Sequence, residues 1–322
     1  MTAPAKINIV EVGPRDGLQM EKTFVPTETK VAIVNALARA GIRKMEVSSF
    51  VSPKVIPQLR DAAEVFRSIE RRSGVTYLAL VPNRRGAERA MAAGADGVKI
   101  VLCASDTYNQ RNVGMSVEQS LASCKEVLDL VTGRGKVAEA VIGLSFGCPL
   151  EGPIAPRRVA DLARRLASLG YREISIADSM GLANPAQVRS MMHGLLQEFP
   201  EIHFSLHLHN TRGLGLANAL AGLEAGVDEF DSSIGGLGGS EVVVRGAGGN
   251  LSTEDFANMV HEMGIATGVD LAGIVAAARI AQQALERSLG SYVYYVGTPQ
   301  QFYARVREEQ AVAGRVEGSS LN

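Results

Sequence analysis

The strongest constraint on this chain is a rhythm. A short β-branched run is followed by a longer stretch with apolar residues at helical spacing, and the pair repeats eight times. Residues 7–12, 44–47, 76–80, 98–102, 137–144, 173–177, 203–208 and 229–232 read as strands. Residues 28–40, 57–70, 86–93, 117–131, 156–169, 185–199, 214–225 and 253–263 read as helices, with Gly41, Gly94, Gly170 and Gly226 as stops. Strands separated by helices pair in parallel, and eight such units predict a closed (β/α)8 barrel of the α/β class. An open doubly wound sheet often carries a phosphate fingerprint after its first strand; here that turn is Gly13-Pro14-Arg15-Asp16-Gly17, which is not GxGxxG. The barrel and a following helix, 271–289, are expected to fill residues 1–290. Residues 291–322, with Tyr292, Tyr294 and Tyr295, are expected to form a C-terminal helical extension that frays from Gly314.

Composition narrows the function classes. With 46% hydrophobic residues in 322 the chain has enough apolar surface for a sizeable core, which excludes a disordered protein. A net charge of -1 removes the basic footprint of a nucleic-acid binder. Cys103, Cys124 and Cys148 show no CxxC spacing and are too few for a disulfide scaffold. No apolar run is long enough to span a membrane, and no signal region opens the chain, so a cytoplasmic location is expected. A homo-oligomer such as a dimer is expected as well, with residues 271–289 and the tyrosine segment as interface or as extra cover for the barrel.

In a barrel of this kind chemistry sits at the C-terminal ends of the strands. There the sequence places Arg15 and Asp16, Glu46 and Ser49, Asp178, His207 and His209, and a glycine-rich segment, 235–250, carrying Ser240, Glu241 and Asn250. Residues i and i+2 of a strand face one side, so His207 and His209 reach a common point. Either they are hydrogen-bonded strand-end histidines, or, with Asp16 and Asn250 from the neighbouring first and last units, they complete a mixed N/O set for Mg²⁺ or Mn²⁺. No cysteine ligand is near, which argues against structural zinc. Arg15 is an always-charged donor suited to an oxyanion or enolate, or else half of a buried pair with Asp16. Glu46, inside an apolar strand, needs a partner and orients Arg15, orients a metal-bound water or forms a structural bridge; Asp178 follows the same logic. The glycine segment cradles a phosphate, closes over substrate or is a plain connection. Cys148 lacks a histidine partner, and His193, His203 and His261 read as structural.

Val12-Gly13-Pro14-Arg15-Asp16-Gly17-Leu18-Gln19, Ser49-Phe50-Val51-Ser52-Pro53-Lys54, Gly147-Cys148-Pro149-Leu150-Glu151-Gly152, His207-x-His209 and Gly248-Gly249-Asn250 resemble the hydroxymethylglutaryl-CoA lyase family. These are TIM-barrel, metal-dependent lyases related to the isopropylmalate and homocitrate synthases. The resemblance implies retro-Claisen cleavage of 3-hydroxy-3-methylglutaryl-CoA to acetyl-CoA and acetoacetate. It implies metal ligands Asp16, His207, His209 and Asn250, with Arg15 polarising the thioester carbonyl and steadying the enolate. Gln19, Glu46, Ser49 and Asp178 are implied around the substrate, an acyl-CoA.

Three departures stand out. Ser240 occupies the place of the family's proton-transferring cysteine, in a loop one residue longer over 241–245. A serine hydroxyl is a far weaker acid than a thiol, so either Glu241 or a water substitutes for it, or activity is reduced or redirected. The family's tyrosine on strand five is Val141 here. Asn210-Thr211-Arg212-Gly213 replaces Asp-Thr-Tyr-Gly; Asn210 leans toward the synthases, whose Gly-Glu-Arg string and longer C-terminal region are missing. The alternatives are a lyase for another branched 3-hydroxyacyl-CoA, such as citramalyl-CoA, or a silent metal- and CoA-binding relative.

Overall fold

The computed structural model describes residues 3–239 and 249–319, with side chains to residue 310. The eight expected strands form: β1 (Asn8–Glu11), β2 (Lys44–Ser49), β3 (Thr76–Val81), β4 (Gly97–Cys103), β5 (Val137–Gly143), β6 (Glu173–Asp178), β7 (His203–Leu208) and β8 (Glu229–Ser232). They close into a barrel in the order β1-β8-β7-β6-β5-β4-β3-β2. Every neighbouring pair is parallel, as helical crossovers require. Val10 pairs with Asp231, Asp231 with His207, and His207 with Ala177, so β8 stands between β1 and β7.

The strands are connected and covered by α1 (Thr27–Arg39), α2 (Ala62–Ser68), α3 (Arg84–Ala92), α4 (Asp106–Val113), α5 (Val117–Thr132), α6 (Pro156–Leu169), α7 (Pro185–Glu198), α8 (Gly215–Ala225) and α9 (Thr253–Glu262). Helix α6 shows the logic. Val159, Leu162, Ala163 and Leu166 recur at helical spacing and are buried, Pro156 opens the helix, and Gly170 closes it in the left-handed region at φ 114°. A capping box at Ser116–Gln119 starts α5, and another at Asn184–Gln187 starts α7. Apolar faces of strands and helices form one continuous buried cluster between the barrel wall and the helical layer.

The structure departs from the sequence reading in small elements. Residues 57–70 are not one helix: a 3₁₀ turn, Pro57–Leu59, precedes α2. Lys30 Nζ holds that turn to α1 through the Gln58 carbonyl and Asp61 Oδ1 at 2.5 and 2.7 Å. Helix α4 is additional, as is a two-residue hairpin, Gly147–Cys148 with Gly152–Pro153. Helix α10 (Leu271–Leu285) packs back on the end of α1, where Asp270 N–H donates to the Ala40 carbonyl at 2.8 Å. It stops at Glu286, in the left-handed region at φ 51°. Leu289 then turns inward against Gly235, ahead of α11 (Tyr292–Val296) and α12 (Pro299–Ser319). The segment from Gly314, expected to fray, continues α12 to Ser319. Among the described residues no helix is long and apolar enough to cross a membrane.

Candidate active site

The chain after β1 wraps tightly around one carbonyl. The amides of Arg15, Asp16 and Gly17 all point at the Val12 oxygen, at 3.1, 2.7 and 3.3 Å, giving a five-residue π-helical turn, Gly13–Gly17. This turn carries Arg15 and Asp16 into the barrel mouth, both buried. Arg15 donates Nη1 to Asp16 Oδ1 and Nε to Glu46 Oε2. Gln19 Nε2 donates to the same Asp16 oxygen at 2.6 Å. Burial would raise the Asp16 pKa, but the charges of Arg15, His207 and His209 and the Asn250 hydrogen bond hold it below the usual carboxylate range.

His207 and His209, two apart on and just beyond β7, turn their Nε2 atoms toward each other at 3.1 Å. His207 Nδ1 lies 3.0 Å from Asp231 Oδ2. An ionised carboxylate only accepts, so this contact places the proton on Nδ1 and directs the Nε2 lone pair into the mouth. Burial alone would lower the His207 pKa, but the Asp231 hydrogen bond and charge, with Asp16, raise it above the usual imidazole value. Burial and the neighbouring His207 push His209 down to about 3, so its ring is neutral.

Asn250 reaches this point from the far end of the glycine-rich segment because two glycines permit a close approach. A Cβ on Gly249 would sit 1.6 Å from the Gly236 carbonyl oxygen, and one on Gly238 would sit 2.5 Å from Asn250 Nδ2. Backbone bonds from Asn210 N–H to the Gly249 carbonyl and from Leu251 N–H to the Leu208 carbonyl, both 2.9 Å, fasten the segment beside β7. Asn250 Nδ2 donates to Asp16 Oδ2 at 2.7 Å and to the Leu237 carbonyl at 2.9 Å.

Ligand atoms of Asp16, His207 and His209 all lie within 4.8 Å of one another. Two adjacent donors about 2.1 Å from a small cation at right angles would be about 3 Å apart, matching the imidazole pair. Among the described residues Asn250 Oδ1 and His209 Nδ1 are buried with no hydrogen-bond partner, and half a turn of the Asn250 amide brings its oxygen to the Asp16 side. An ionised carboxylate, neutral imidazole and an amide oxygen form a donor set that fits Mg²⁺ or Mn²⁺.

The cavity above this group measures about 1270 Å³. Arg15, Asp16, Gln19, Glu46, His207 and His209 line it. Leu80, Val101, Val141 and Leu144 add apolar lining, which includes the residue standing in place of the family's tyrosine. Lys22, Arg85, Arg89 and Arg111 line it as well and are exposed.

Of the remaining residues expected around the substrate, Ser49 and Asp178 do not line the cavity. Ser49 Oγ accepts from Val51 N–H at 3.2 Å, and Asp178 accepts from Leu182 and Ala183 N–H at 2.8 and 3.0 Å. Both shape the turns that follow their strands. Asn210 Oδ1 accepts from Gly215 N–H at 2.9 Å at the start of α8. Ser240 and Glu241 lie outside the described residues.

Sequence reasoning missed Lys99 and Asp231, the charged residues beneath the site. Lys99 Nζ lies 3.0 and 3.1 Å from the Asp231 oxygens, 3.2 Å from Glu46 and 3.6 Å from Glu139. Lower in the barrel, Lys44 Nζ lies 2.6, 2.7 and 2.8 Å from Glu139, Glu173 and Glu229. For Lys99 the available signal was a charge inside an apolar strand, the same signal that picked out Glu46; the strand of Asp231, Glu-Phe-Asp-Ser, offers no such contrast.

Comparison with known proteins agrees with this geometry. The HMGL-like family model matches residues 6–281. The mitochondrial hydroxymethylglutaryl-CoA lyase of Bos taurus is 42% identical over 292 residues, covering 91% of this chain and 90% of that protein. Hydroxymethylglutaryl-CoA lyase YngG of Bacillus subtilis is 41% identical, covering 90% and 97%. A solved HMG-CoA lyase from Acinetobacter baumannii, in complex with coenzyme A and 3-methylmalate, superposes with a TM-score of 0.88 at 42% identity, over 93% of this chain and 98% of that one. The chain therefore belongs to the HMGL-like family, on a closed (β/α)8 barrel.

Proposed function

We propose that this protein is a divalent-metal-dependent carbon–carbon lyase that splits 3-hydroxy-3-methylglutaryl-CoA into acetyl-CoA and acetoacetate. The observation that carries the reading is the convergence of Asp16, His207 and His209 on one point beside the buried guanidinium of Arg15, in a chain of this family.

Asp16, His207, His209 and Asn250 hold the ion. When bound, it supplies Lewis-acid chemistry that gathers the substrate's oxygens and lowers the pKa of the tertiary hydroxyl. Arg15, kept fully charged by Asp16 and Glu46, faces the thioester carbonyl. As a base takes the hydroxyl proton, the C2–C3 bond breaks; its electrons move onto the thioester as an enolate and the hydroxyl carbon becomes the ketone of acetoacetate. Asp16 and His207 are the residues we assign to that base. Arg15 steadies the enolate charge, and a proton delivered to its carbon from Ser240 or Glu241 completes acetyl-CoA. Gln19 and Glu46 keep Asp16 and Arg15 oriented, while Ser49 and Asp178 shape the adjoining loops.

The exposed cations Lys22, Arg85, Arg89 and Arg111 at the cavity suit the phosphates of an acyl-CoA. A cytoplasmic dimer is the setting we infer for the enzyme, checked by fractionation and by mass in solution. The reaction itself is tested by acetyl-CoA release from 3-hydroxy-3-methylglutaryl-CoA with Mg²⁺ or Mn²⁺. Rapid release that a chelator abolishes is the expected result; no release with the metal bound would direct the substrate assignment to another acyl thioester or to binding alone.

A further inference from the structure

We propose that Lys99 is a positioning residue for this reaction: from the far wall of the barrel its ammonium fixes the two carboxylates that aim His207 and Arg15. The inference rests on the metal and enolate roles proposed above. Lys99 lies on β4, and in the barrel order β4 stands opposite β8, which carries Asp231. Its side chain is completely buried and crosses the lumen under the site.

The contacts form two branches from one atom. In the first, Nζ bonds both Asp231 oxygens at 3.0 and 3.1 Å, and Asp231 Oδ2 meets His207 Nδ1 at 3.0 Å. In the second, Nζ lies 3.2 Å from Glu46 Oε1 while Glu46 Oε2 takes Arg15 Nε. Glu46 thus spends one oxygen on Lys99 and the other on Arg15, while Asp231 gives both oxygens to Lys99 and shares Oδ2 with His207. Without the ammonium, the His207 imidazole would be the one side chain among the described residues still hydrogen-bonded to the buried Asp231 carboxylate. Glu46 would be free to turn both oxygens onto Arg15 and draw the guanidinium down from the mouth. A slender, flexible chain ending in a compact charge suits this strut better than a planar guanidinium. Asp231, Glu46 and Glu139 keep the amine charged against the effect of burial, so it is a fixed cation and not a nucleophile.

The test uses full-length protein stripped of metal. In Lys99→Met we expect Mn²⁺ binding by titration calorimetry to weaken about 10- to 100-fold, the range for lost outer-shell partners of a metal ligand. At saturating Mn²⁺ we expect kcat for acetyl-CoA release to fall at least about 10-fold while KM changes less than about 3-fold. A merely structural role would shift the melting temperature without this division. Wild-type Mn²⁺ affinity and kcat in folded Lys99→Met would overturn the proposal. Because an uncompensated carboxylate can prevent folding, K99M/D231N is measured beside D231N. If Lys99 acts on the ion through Asp231, adding K99M costs less than about 3-fold further in Mn²⁺ affinity. A further loss as large as that of K99M in wild type contradicts it. Wild-type protein that binds no Mn²⁺ would instead count against the metal site itself.

Discussion

Among the described residues, two places in the barrel bring histidine and carboxylate together closely enough for one ion, and they differ in what already fills them. At the lower end, donor atoms of Glu173, His203 and Glu229 lie within 4.8 Å of one another, as do those of Asp16, His207 and His209 at the mouth. The lower group already contains a cation. Lys44 Nζ bonds Glu173 and Glu229 at 2.7 and 2.8 Å, and His203 Nε2 turns away to Asp228 Oδ1 at 2.9 Å. At the mouth Arg15 takes one oxygen of Asp16, the other lies 4.0 Å from His207 Nε2, and two imidazole nitrogens meet with no ammonium between them. Buried charge by itself therefore does not mark chemistry. What separates the mouth group, among the described residues, is that its one cation, Arg15, meets Asp16 alone of the three and leaves the two imidazole nitrogens facing each other.

The largest contrast should follow from cutting ligands in each group. Asp16→Asn and His207→Ala should each abolish detectable Mn²⁺ binding and reduce acetyl-CoA release by at least about 1000-fold. His203→Ala, cut from the lower group, should leave both within about 2-fold; a comparable loss there would erase the distinction. Next in size is Arg15→Gln, expected to lower kcat by about 100- to 1000-fold, the scale of a lost oxyanion donor, while Mn²⁺ still binds. Loss of Mn²⁺ binding in that variant would make Arg15 part of the metal site's framework.

Lys44→Met should read out as stability. Removing one partner of a buried ion cluster costs about 3–5 kcal/mol in urea unfolding. The folded variant should still take up Mn²⁺ at the mouth with unchanged stoichiometry.

The smallest effect concerns a carboxyl group outside the barrel wall. Burial pushes Glu11 from 4.5 up to about 8, over the hydrogen bonds it accepts from Thr253, Ile234 and Gly13. The folded protein then holds a proton that the unfolded chain releases. That contribution is complete below the unfolded pKa and is lost as pH rises through the folded one. The melting temperature should fall between about pH 5 and about pH 9, and Glu11→Gln should flatten that slope. An unchanged slope would show Glu11 ionised in the folded protein.

Much of this was legible in the sequence because period and punctuation agree. The helical stripe of α6 and the strand pattern of β7 are local signals, and eight of each imply closure before any contact is known. Helix α4 escaped because Asp106–Val113 is polar and short, with little apolar periodicity to read. At the site, Asp16, His207, His209 and Asn250 were found because strand ends concentrate chemistry. Lys99 and Asp231 were not legible in this way: Lys99 sits in the middle of β4, and Asp231, level with His207, gains its partners only when the barrel closes. Which carboxylate each buried cation meets depends on barrel order and shear, and Lys99 finds Asp231 132 positions away. Ser49 and Asp178 show what a strand-end pattern leaves unread, since a polar residue after a strand is as readily used to build the turn as to meet a ligand.

One titration bears most directly on the central claim that the mouth group, and not the lower one, runs the cleavage. Mn²⁺ is added stepwise to metal-free wild-type protein while bound ion and acetyl-CoA release from 3-hydroxy-3-methylglutaryl-CoA are read together. The account predicts no release at the start, a rise in step with binding, and a plateau at one ion per chain that His203→Ala reproduces. Release from the metal-free protein, or a saturated protein that makes no acetyl-CoA, would contradict it.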